Sequence, residues 1–297
     1  MKDESLLCDL PQETAPVDLA LKHWQAALSL TFTALNGRSY LAKKEHSGPL
    51  VIQKTLHPEG EALCHGIIIH PPGGVAGGDS LALNVDMQAN ANALLTTPGA
   101  GKWYKANGGV ASQHLQFNVA KNARLEWFPQ ENIIFDGAVL KFTADIQLNE
   151  SACYAGWDIL CFGRLAKGEH WNTGKLKQTL NISRERKLIW QEASNLQANH
   201  VFFTSPIGMA SQVVSGSFVI AAGHFPAELL TQCQVYTVHH SKDQQAKFAV
   251  TALPEIFCAR YIGMSAQSAR QYFEGLWYIL RPWYANCQAI RPRIWNT

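Results

Sequence analysis

The sequence predicts a mainly β protein whose many strands form stacked or wrapped sheets. Apolar residues alternate with polar ones along most of the chain, and this period places every second side chain on one face of a strand. Gly, Pro, Asn and Ser residues bound the alternating segments and end their pairing. More than ten predicted strands with only about two helices favour wrapped sheets over a small barrel, although no fixed repeat period is visible.

The strands are predicted from this alternation in chain order. In the first strand Leu28, Leu30 and Phe32 alternate with polar residues, and the turn signal Asn36-Gly37 follows them. Further strands are predicted at residues 81–87, 115–119, 140–148, 176–182, 186–190, 213–221, 234–240 and 246–252.

Two helices and one domain are predicted. In SAQSARQYFEGLWYILRPW, Ser265 can cap a helix, apolar residues follow at helical spacing, and Pro282 is expected to end it. A shorter helix is predicted at residues 226–232. Residues 1–20 read as a flexible N-terminal arm. No linker divides residues 21–297, which are therefore expected to form a single β domain with a C-terminal helix and tail.

The composition narrows the class of protein. The 25 basic and 23 acidic residues nearly cancel, which argues against a nucleic-acid binder. The start, MKDESLLCDLPQE, lacks the features of a secretory signal, and the longest apolar run is too short to span a bilayer. Seven scattered cysteines without a C-x-x-C pair favour reduced, buried thiols. We therefore expect a cytoplasmic protein that binds neither nucleic acid nor membrane.

A glycine-rich segment, HPPGGVAGGDSLALNVDMQANANALLTTPGAGKWYK, covers residues 70–105. A phosphate-binding loop requires G-x-x-x-x-G-K-[ST], but Thr96 stands at the first glycine position and Trp103 at the hydroxyl position. The dinucleotide pattern also fails, because GGVAGGD leads into a strand where a helix is needed. The glycines are therefore interpreted as turn residues that supply positive φ angles or close backbone approach.

Five stretches occur in a characteristic order: HPPGGVAGGDSL, ALLTTPGAGKWYK, LEWFPQENIIFDGA, GRLAKGEHW and LRPWYANCQAIRPRIWNT. Together they resemble the urease accessory protein family UreD, which is called UreH in some lineages. The resemblance covers residues 50–297. Three positions depart from the family pattern: Gly101 replaces a small hydroxyl residue, Trp103 a smaller aromatic residue, and Asp158 a frequent glutamate.

The resemblance implies a β-helical fold and a non-enzymatic role. Members of the family act as a scaffold or chaperone that helps insert nickel into the urease apoprotein, in a complex with the accessory protein UreF and the GTPase UreG. No tightly bound cofactor is implied, and Ni²⁺ would be present only in transit. A closed cage of imidazole, carboxylate and thiolate ligands would retain an ion that must be delivered, so sparse ligands are expected.

Polar residues of the family motifs are the candidates for a polar passage for nickel. A buried carboxylate must be paired or solvated, and a water-filled passage would solvate it. The candidates are Asp79, Thr96, Thr97, Glu126, Glu131, Asp136, Asp158, Arg164 and Glu169. The same side chains also fit structural roles, namely an ion pair of Arg164 with Glu169 or Glu126, and turn capping by Asp79 and Asp136.

Two other functions fit the sequence. One is a pure assembly scaffold that never contacts nickel. The other is a β-helical hydrolase that uses Glu126 with Glu131 or Glu169 as acid and base.

The C-terminal helix and tail are a candidate contact region for partner proteins. Its candidate residues are Trp277, Arg281, Arg291, Arg293 and Trp295. They also fit packing of the tryptophans on the sheet and capping of carbonyls by the arginines.

Overall fold

In the computed structural model, residues 23–239 and 246–296 are described, and in them the chain winds into a β-solenoid. Strands account for 49% of the residues and helices for 15%, so the predicted mainly β class with about two helices is confirmed. The predicted N-terminal arm lies outside the described residues.

The described residues contain eighteen strands and two α-helices. The first nine strands are β1 (Gln25–Leu35), β2 (Arg38–Ser47), β3 (Val51–Ile52), β4 (Cys64–Ile69), β5 (Ser80–Met87), β6 (Asn92–Thr96), β7 (Gly101–Trp103), β8 (Ala111–Val119) and β9 (Arg124–Phe128). The next nine are β10 (Asn132–Ile134), β11 (Val139–Leu148), β12 (Cys153–Arg164), β13 (Glu169–His170), β14 (Lys175–Arg184), β15 (Lys187–Gln197), β16 (Val214–Ala221), β17 (Lys247–Ala252) and β18 (Ile256–Gly263). The helices are α1 (Ala227–His239) and α2 (Ala266–Ala285).

Successive coils of the solenoid contribute strands to two sheets in turn. The first sheet has the order β15-β14-β11-β8-β5-β1-β2, and its strands β5, β8, β11 and β14 pair in parallel. The main path of the second sheet is β17-β18-β16-β12-β9-β6-β4-β3, and β4, β6, β9 and β12 pair in parallel. The short strands β7, β10 and β13 lie off this path: β10 pairs with β12 and β7, and β13 pairs with β12. They lie in the long turns that lead from the second sheet to the first.

Short turns join the two sheets on the other side. They are QANA at 88–91, AKNA at 120–123 and NESA at 149–152, and each ends in a buried alanine. Asn90 and Asn122 adopt positive φ angles of 64° and 59°, which asparagine tolerates better than most residues. The Nδ2 of Asn122 donates to the Oδ1 of Asn90 at 3.2 Å. The turns start 32 and 29 residues apart, so unequal coil lengths hide the repeat in the sequence.

Two apolar cores stabilise this arrangement. The first lies between the sheets and includes the inward-facing Leu28, Val85 and Phe117. The second lies between the outer face of the second sheet and a layer formed by α1, α2 and the C-terminal tail, where Phe128 and Trp157 stack 4.2 Å apart. Along the strands of the second sheet, successive side chains therefore point alternately into the inner core and into the core beneath the helices.

Two predictions about local structure are wrong. Of the strand expected at 234–240, residues 234–239 instead form the second half of α1, and residue 240 lies outside the described residues. Packing on α2 outweighs the short alternating pattern, since Tyr236 stacks on Tyr272 with ring centroids 6.1 Å apart. Helix α2 does not end at Pro282 but continues to Ala285. Contacts of the last helical turn with the sheet outweigh the loss of the backbone hydrogen bond that proline cannot donate. Neither helix is long and apolar enough to cross a membrane.

Candidate functional site: the chamber between the sheets

A chamber of about 1010 Å³ lies between the two sheets, on the side of the long turns. At one end the lining includes Pro71, Gly73, Gly74 and residues 97–102, some of them exposed, in the turns before β5 and β8, and we call this end the first mouth. At its other end the lining includes Glu192 on β15 and the exposed Arg260 on β18, and we call this end the second mouth. Strands β5 and β15 are four positions apart in the first sheet, so the mouths are separated by roughly 19 Å along the solenoid.

Glycines shape the turn at the first mouth, as the sequence predicts. Gly73 and Gly78 adopt positive φ angles of 81° and 93°, a region that side chains disfavour. A Cβ on Gly77 would lie 2.9 Å from the Cα of Ala106 and from the carbonyl oxygen of Gly109, closer than carbon atoms approach. Both predicted reasons for glycine, backbone angle and close approach, are therefore present in this turn.

Asp158 is the carboxylate in the middle of the chamber. It lies on β12 and faces the space between the sheets together with Leu160. Asn132 Nδ2 donates to its Oδ1 at 3.0 Å and Gln178 Nε2 to its Oδ2 at 2.5 Å. Desolvation raises the pKa of Asp158, the two amide hydrogen bonds oppose that rise, and the negative charge of Glu192 adds to it. Amides and not cations hold this carboxylate among the described residues.

Two of the departures from the family pattern meet at Asn132. The indole Nε1 of Trp103 donates to Asn132 Oδ1 at 2.8 Å, which fixes the amide so that its Nδ2 points to Asp158. A Cβ on Gly101 would lie 2.7 Å from the same Oδ1. The larger aromatic residue and the glycine therefore go together, because the hydrogen bond of Trp103 leaves no room for a side chain at position 101.

Glu192 is the second carboxylate of the chamber and has a cationic partner. Arg260 donates from Nη1 to Oε2 and from Nη2 to Oε1, each at 2.8 Å. Trp190 Nε1 donates to Oε1 at 2.8 Å, and the hydroxyl of Ser217 donates to the carboxylate at 3.3 Å. Asp158, Ser217 and Arg260 occupy one row across β12, β16 and β18. The row therefore joins the middle of the chamber to its second mouth.

The polar side chains of the chamber provide oxygen ligands for a hydrated cation. Carboxylate and amide oxygens are hard donors, which bind divalent cations without dense thiolate or imidazole ligation. No three His, Cys, Asp or Glu side chains form a metal-binding group in the described part of the chain. The remaining polar lining residues include His70, Thr97, Lys102, Gln113, Gln130 and Ser194.

Of the nine polar residues predicted to line a passage, Thr97 and Asp158 line the chamber. Three others face the helical layer. Thr96 donates to the carbonyl of Phe128 at 2.5 Å and accepts from Trp295 Nε1 at 2.7 Å. Glu126 and Glu131 lie beneath α2. Leu125 and Trp127 enter the inner core, so the neighbouring Glu126 faces the other side of its sheet as expected, but α2 covers that side.

Glu126 is fully buried in a network of hydrogen bonds with α2. Arg281 donates from Nε and Nη2 at 3.0 and 2.8 Å, and Trp277 and Tyr284 donate to Oε1 at 3.1 and 2.5 Å. Burial alone would raise the pKa of Glu126, but the charge and hydrogen bonds of Arg281 outweigh burial and lower it. Glu131 lies 3.5 Å from Arg270 of the same helix.

The last four candidates have the structural roles that the sequence also allows. Asp79 accepts from the backbone N–H groups of Trp24 and Ala76, and Asp136 accepts from those of Asn172 and Thr173, so both cap turns. Arg164 and Glu169 form an ion pair in which the guanidinium Nε donates at 3.1 Å.

The glutamates do not fit an acid and base pair of a hydrolase. A general acid of this kind needs a raised pKa. The hydrogen bond from Arg164 lowers the pKa of Glu169, and the pKa of the inaccessible Glu126 is also lowered.

Most of the predicted contact region for partners is packed against the sheet. Trp277 and Arg281 are fully buried and Trp295 is nearly so, while Arg291 donates to Glu274 at 2.8 Å. Arg293 is the member of the set that is exposed. A partner that contacts this region would therefore meet Arg293 and exposed apolar neighbours such as Tyr278 and Ile290.

The cysteines of the described residues are buried or partly buried thiols. Burial raises the pKa of Cys153, Cys161 and Cys233 to about 12 and that of Cys258 to about 11. These thiols are therefore protonated at neutral pH, which agrees with a packing role.

The sequence interpretation missed Asn132, Gln178, Glu192 and Arg260, which complete the chamber. Two of them could have been found from the alternation of side chains between the two faces of a strand. Gln178 falls on the same side of β14 as the inward-facing Leu176 and Leu180, and Glu192 on the same side of β15 as Trp190. A polar residue at an inward position of a strand indicates a polar interior space.

The sequence matches the family model described as UreD urease accessory protein over residues 25–296. The chain belongs to the UreD family. The UreD protein of Methylobacillus flagellatus is 54% identical over 276 residues, which cover 93% of this chain and 95% of the relative. UreD proteins of Dechloromonas aromatica and of an Azoarcus species are 42% and 39% identical, and each alignment covers 92% of this chain and 95% and 94% of the relative. As a UreD family member the chain has an accessory role in urease maturation.

Proposed function

We propose that this chain is a non-catalytic, cytoplasmic maturation factor that acts with UreF and UreG on the urease apoprotein, and that nickel moves through the chamber. Family membership supports the role in urease maturation, and the family resemblance of the five motifs supports the partners. The chamber, which has exposed lining residues at both ends and Asp158 between them, is the observation that carries the proposed route.

The chemistry of the lining supports transit over storage. The carboxylate of Asp158 and several neutral oxygens attract a divalent cation, while the absence of a closed ligand set among the described residues lets it leave. Because the partners of Asp158 in the described part of the chain are amides, its carboxylate can bind a passing cation without first breaking an ion pair.

The route is tested by replacing Asp158. Asp158→Asn removes the charge and keeps the shape, and Asp158→Leu also removes the oxygens. Each variant is co-expressed with urease and the accessory proteins, and the nickel content and activity of the matured urease are measured. We expect the nickel loading of urease to fall about tenfold, which corresponds to a loss of about 1.4 kcal/mol of interaction with the cation. Urease, UreF and UreG should still co-purify with each variant.

The matched control is Asp86→Asn. Asp86 lies on the outer face of the first sheet, where it also accepts from one amide, Asn118 Nδ2 at 2.8 Å. Its variant should load nickel normally. Normal loading by both Asp158 variants would contradict a route through the chamber and favour a pure assembly scaffold.

A further inference from the structure

The ion pair of Glu192 and Arg260 stands at the second mouth of the chamber. The side chain of Glu192 is 21% exposed and that of Arg260 is 45% exposed. The guanidinium of Arg260 therefore borders solvent. Trp190 and Ser217 donate to Glu192 from within the chamber, so the carboxylate stays in place when the arginine leaves it.

The two carboxylates of the chamber differ in how their negative charge is balanced. Asp158 is held by neutral amides, whereas Glu192 is neutralised by a bidentate guanidinium. Ser217 pairs with Asp158 across β16 and β12 and its hydroxyl donates to Glu192 at 3.3 Å, so the two carboxylates lie close together in the chamber. Because the affinity of an oxygen site for a divalent cation rises with the number of ligand charges, two uncompensated carboxylates would retain a cation more strongly than one.

We propose that Arg260 is the counter-ion that keeps the chamber a route and not a store. It neutralises Glu192 so that a divalent cation meets one free carboxylate at a time, and it swings toward solvent when the cation passes from Asp158 to the second mouth. This inference rests on the proposed function, and it assigns a counter-ion role to a residue outside the family motifs.

An arginine suits this task better than a lysine. The planar guanidinium makes two parallel hydrogen bonds to a carboxylate and keeps its charge at all physiological pH values. The pair is therefore formed whenever no cation is present. Lysine provides the charge but not the bidentate geometry, so Arg260→Lys should give an intermediate behaviour.

The test compares the nickel affinity of purified variants, each prepared with its co-expressed UreF. We expect Arg260→Met to bind Ni²⁺ about tenfold more tightly than the unchanged chain in equilibrium dialysis, because Glu192 becomes an additional ligand charge. The double variant Arg260→Met with Glu192→Gln should return to the weak binding of the unchanged chain. The control is Arg38→Met. Arg38 forms an exposed ion pair with Glu61 at 2.8 Å, and breaking this pair should not change nickel binding.

Thermal unfolding checks that each variant is folded, and Arg260→Lys gives a second measurement should Arg260→Met prove unstable. Unchanged nickel affinity in folded Arg260→Met, or tightening that persists in the double variant, would overturn the inference. Urease loading is measured separately. Tighter binding with reduced loading supports both proposals, whereas tighter binding with normal loading supports Arg260 as the counter-ion and contradicts the chamber as the nickel route.

Discussion

Arg281 of α2 and Glu126 of β9 form a side-on ion pair in which both side chains are fully buried, although 155 residues separate them in the chain. The other N–H groups of Arg281 donate to Glu59 and to the carbonyl of Gln288, so all five donors have acceptors. Removing one partner of a buried pair leaves an uncompensated charge, which is more costly than losing the contact itself. The pair therefore fixes α2 on the second sheet.

Glu126→Gln should lower the free energy of unfolding by about 3–5 kcal/mol, because Arg281 then loses half of its charge compensation inside the protein. The measurement is urea unfolding followed by circular dichroism. Glu61→Gln is the control, since its exposed pair with Arg38 should contribute less than about 1 kcal/mol. Equal losses in the two variants would show that the buried pair does not fix α2.

Asp158→Asn should be at least as stable as the unchanged chain at neutral pH, because desolvation raises the pKa of Asp158. An acid whose pKa is raised on folding destabilises the native state above that pKa, and the cost disappears as the pH falls through it. The difference in melting temperature between the two proteins should therefore be largest at neutral pH and shrink on acidification. A difference that does not change with pH would contradict the raised pKa.

Gly163→Ala should be far more destabilising than Gly60→Ala, although both glycines have a φ of 94°. No atom of the described residues lies within 4 Å of a Cβ at Gly60, so that variant reports backbone strain alone, about 1–3 kcal/mol. At Gly163 the Cβ would lie 2.5 Å from the carbonyl oxygen of Glu169, where β12 pairs with β13. Thermal unfolding of both variants measures the difference, and similar melting temperatures would mean that the β12–β13 contact relaxes freely.

Trp295→Ala should cost about 3–5 kcal/mol, the usual loss for truncating a buried tryptophan. Its ring packs on Trp157 with centroids 5.4 Å apart, and its Nε1 donates to Thr96. The exposed Arg293 is the control, because Arg293→Ala should change stability by less than about 0.5 kcal/mol. Unfolding in urea measures the free energy of unfolding of both variants. A small loss for Trp295→Ala would show that the tail is not part of the second core.

Much of the fold could be predicted because each strand carries its own signal. The alternation of Leu28, Leu30 and Phe32 reflects burial of one face, and burial of one face is a local property of the sequence. The second half of α1 could not be predicted in this way, since its helical state depends on packing against α2. The helical turn beyond Pro282 depends in the same way on contacts of Arg281 and Tyr284 with the sheet.

The candidate site was predicted in part. Asp158 and Thr97 could be named because they accompany motifs of the family, whereas Glu192 and Arg260 lie outside those motifs. Glu126 and Glu131 carry the same kind of signal as Asp158 but face the helical layer. Strand parity separates the two faces of a sheet, yet it does not show which face borders a chamber and which is covered by a helix.

The sequence by itself determined the mainly β class, the turn role of the glycines and membership of the UreD family, because alternation, turn chemistry and ordered motifs are properties of short segments. Only the tertiary structure decided which charges meet. Arg260 reaches Glu192 across 68 positions of the chain, and Arg281 reaches Glu126 from a helix on the far side of a sheet. Such pairs form where coiling brings distant strands and helices together, and the energy of a charge depends on the partner and the solvent that it finds there.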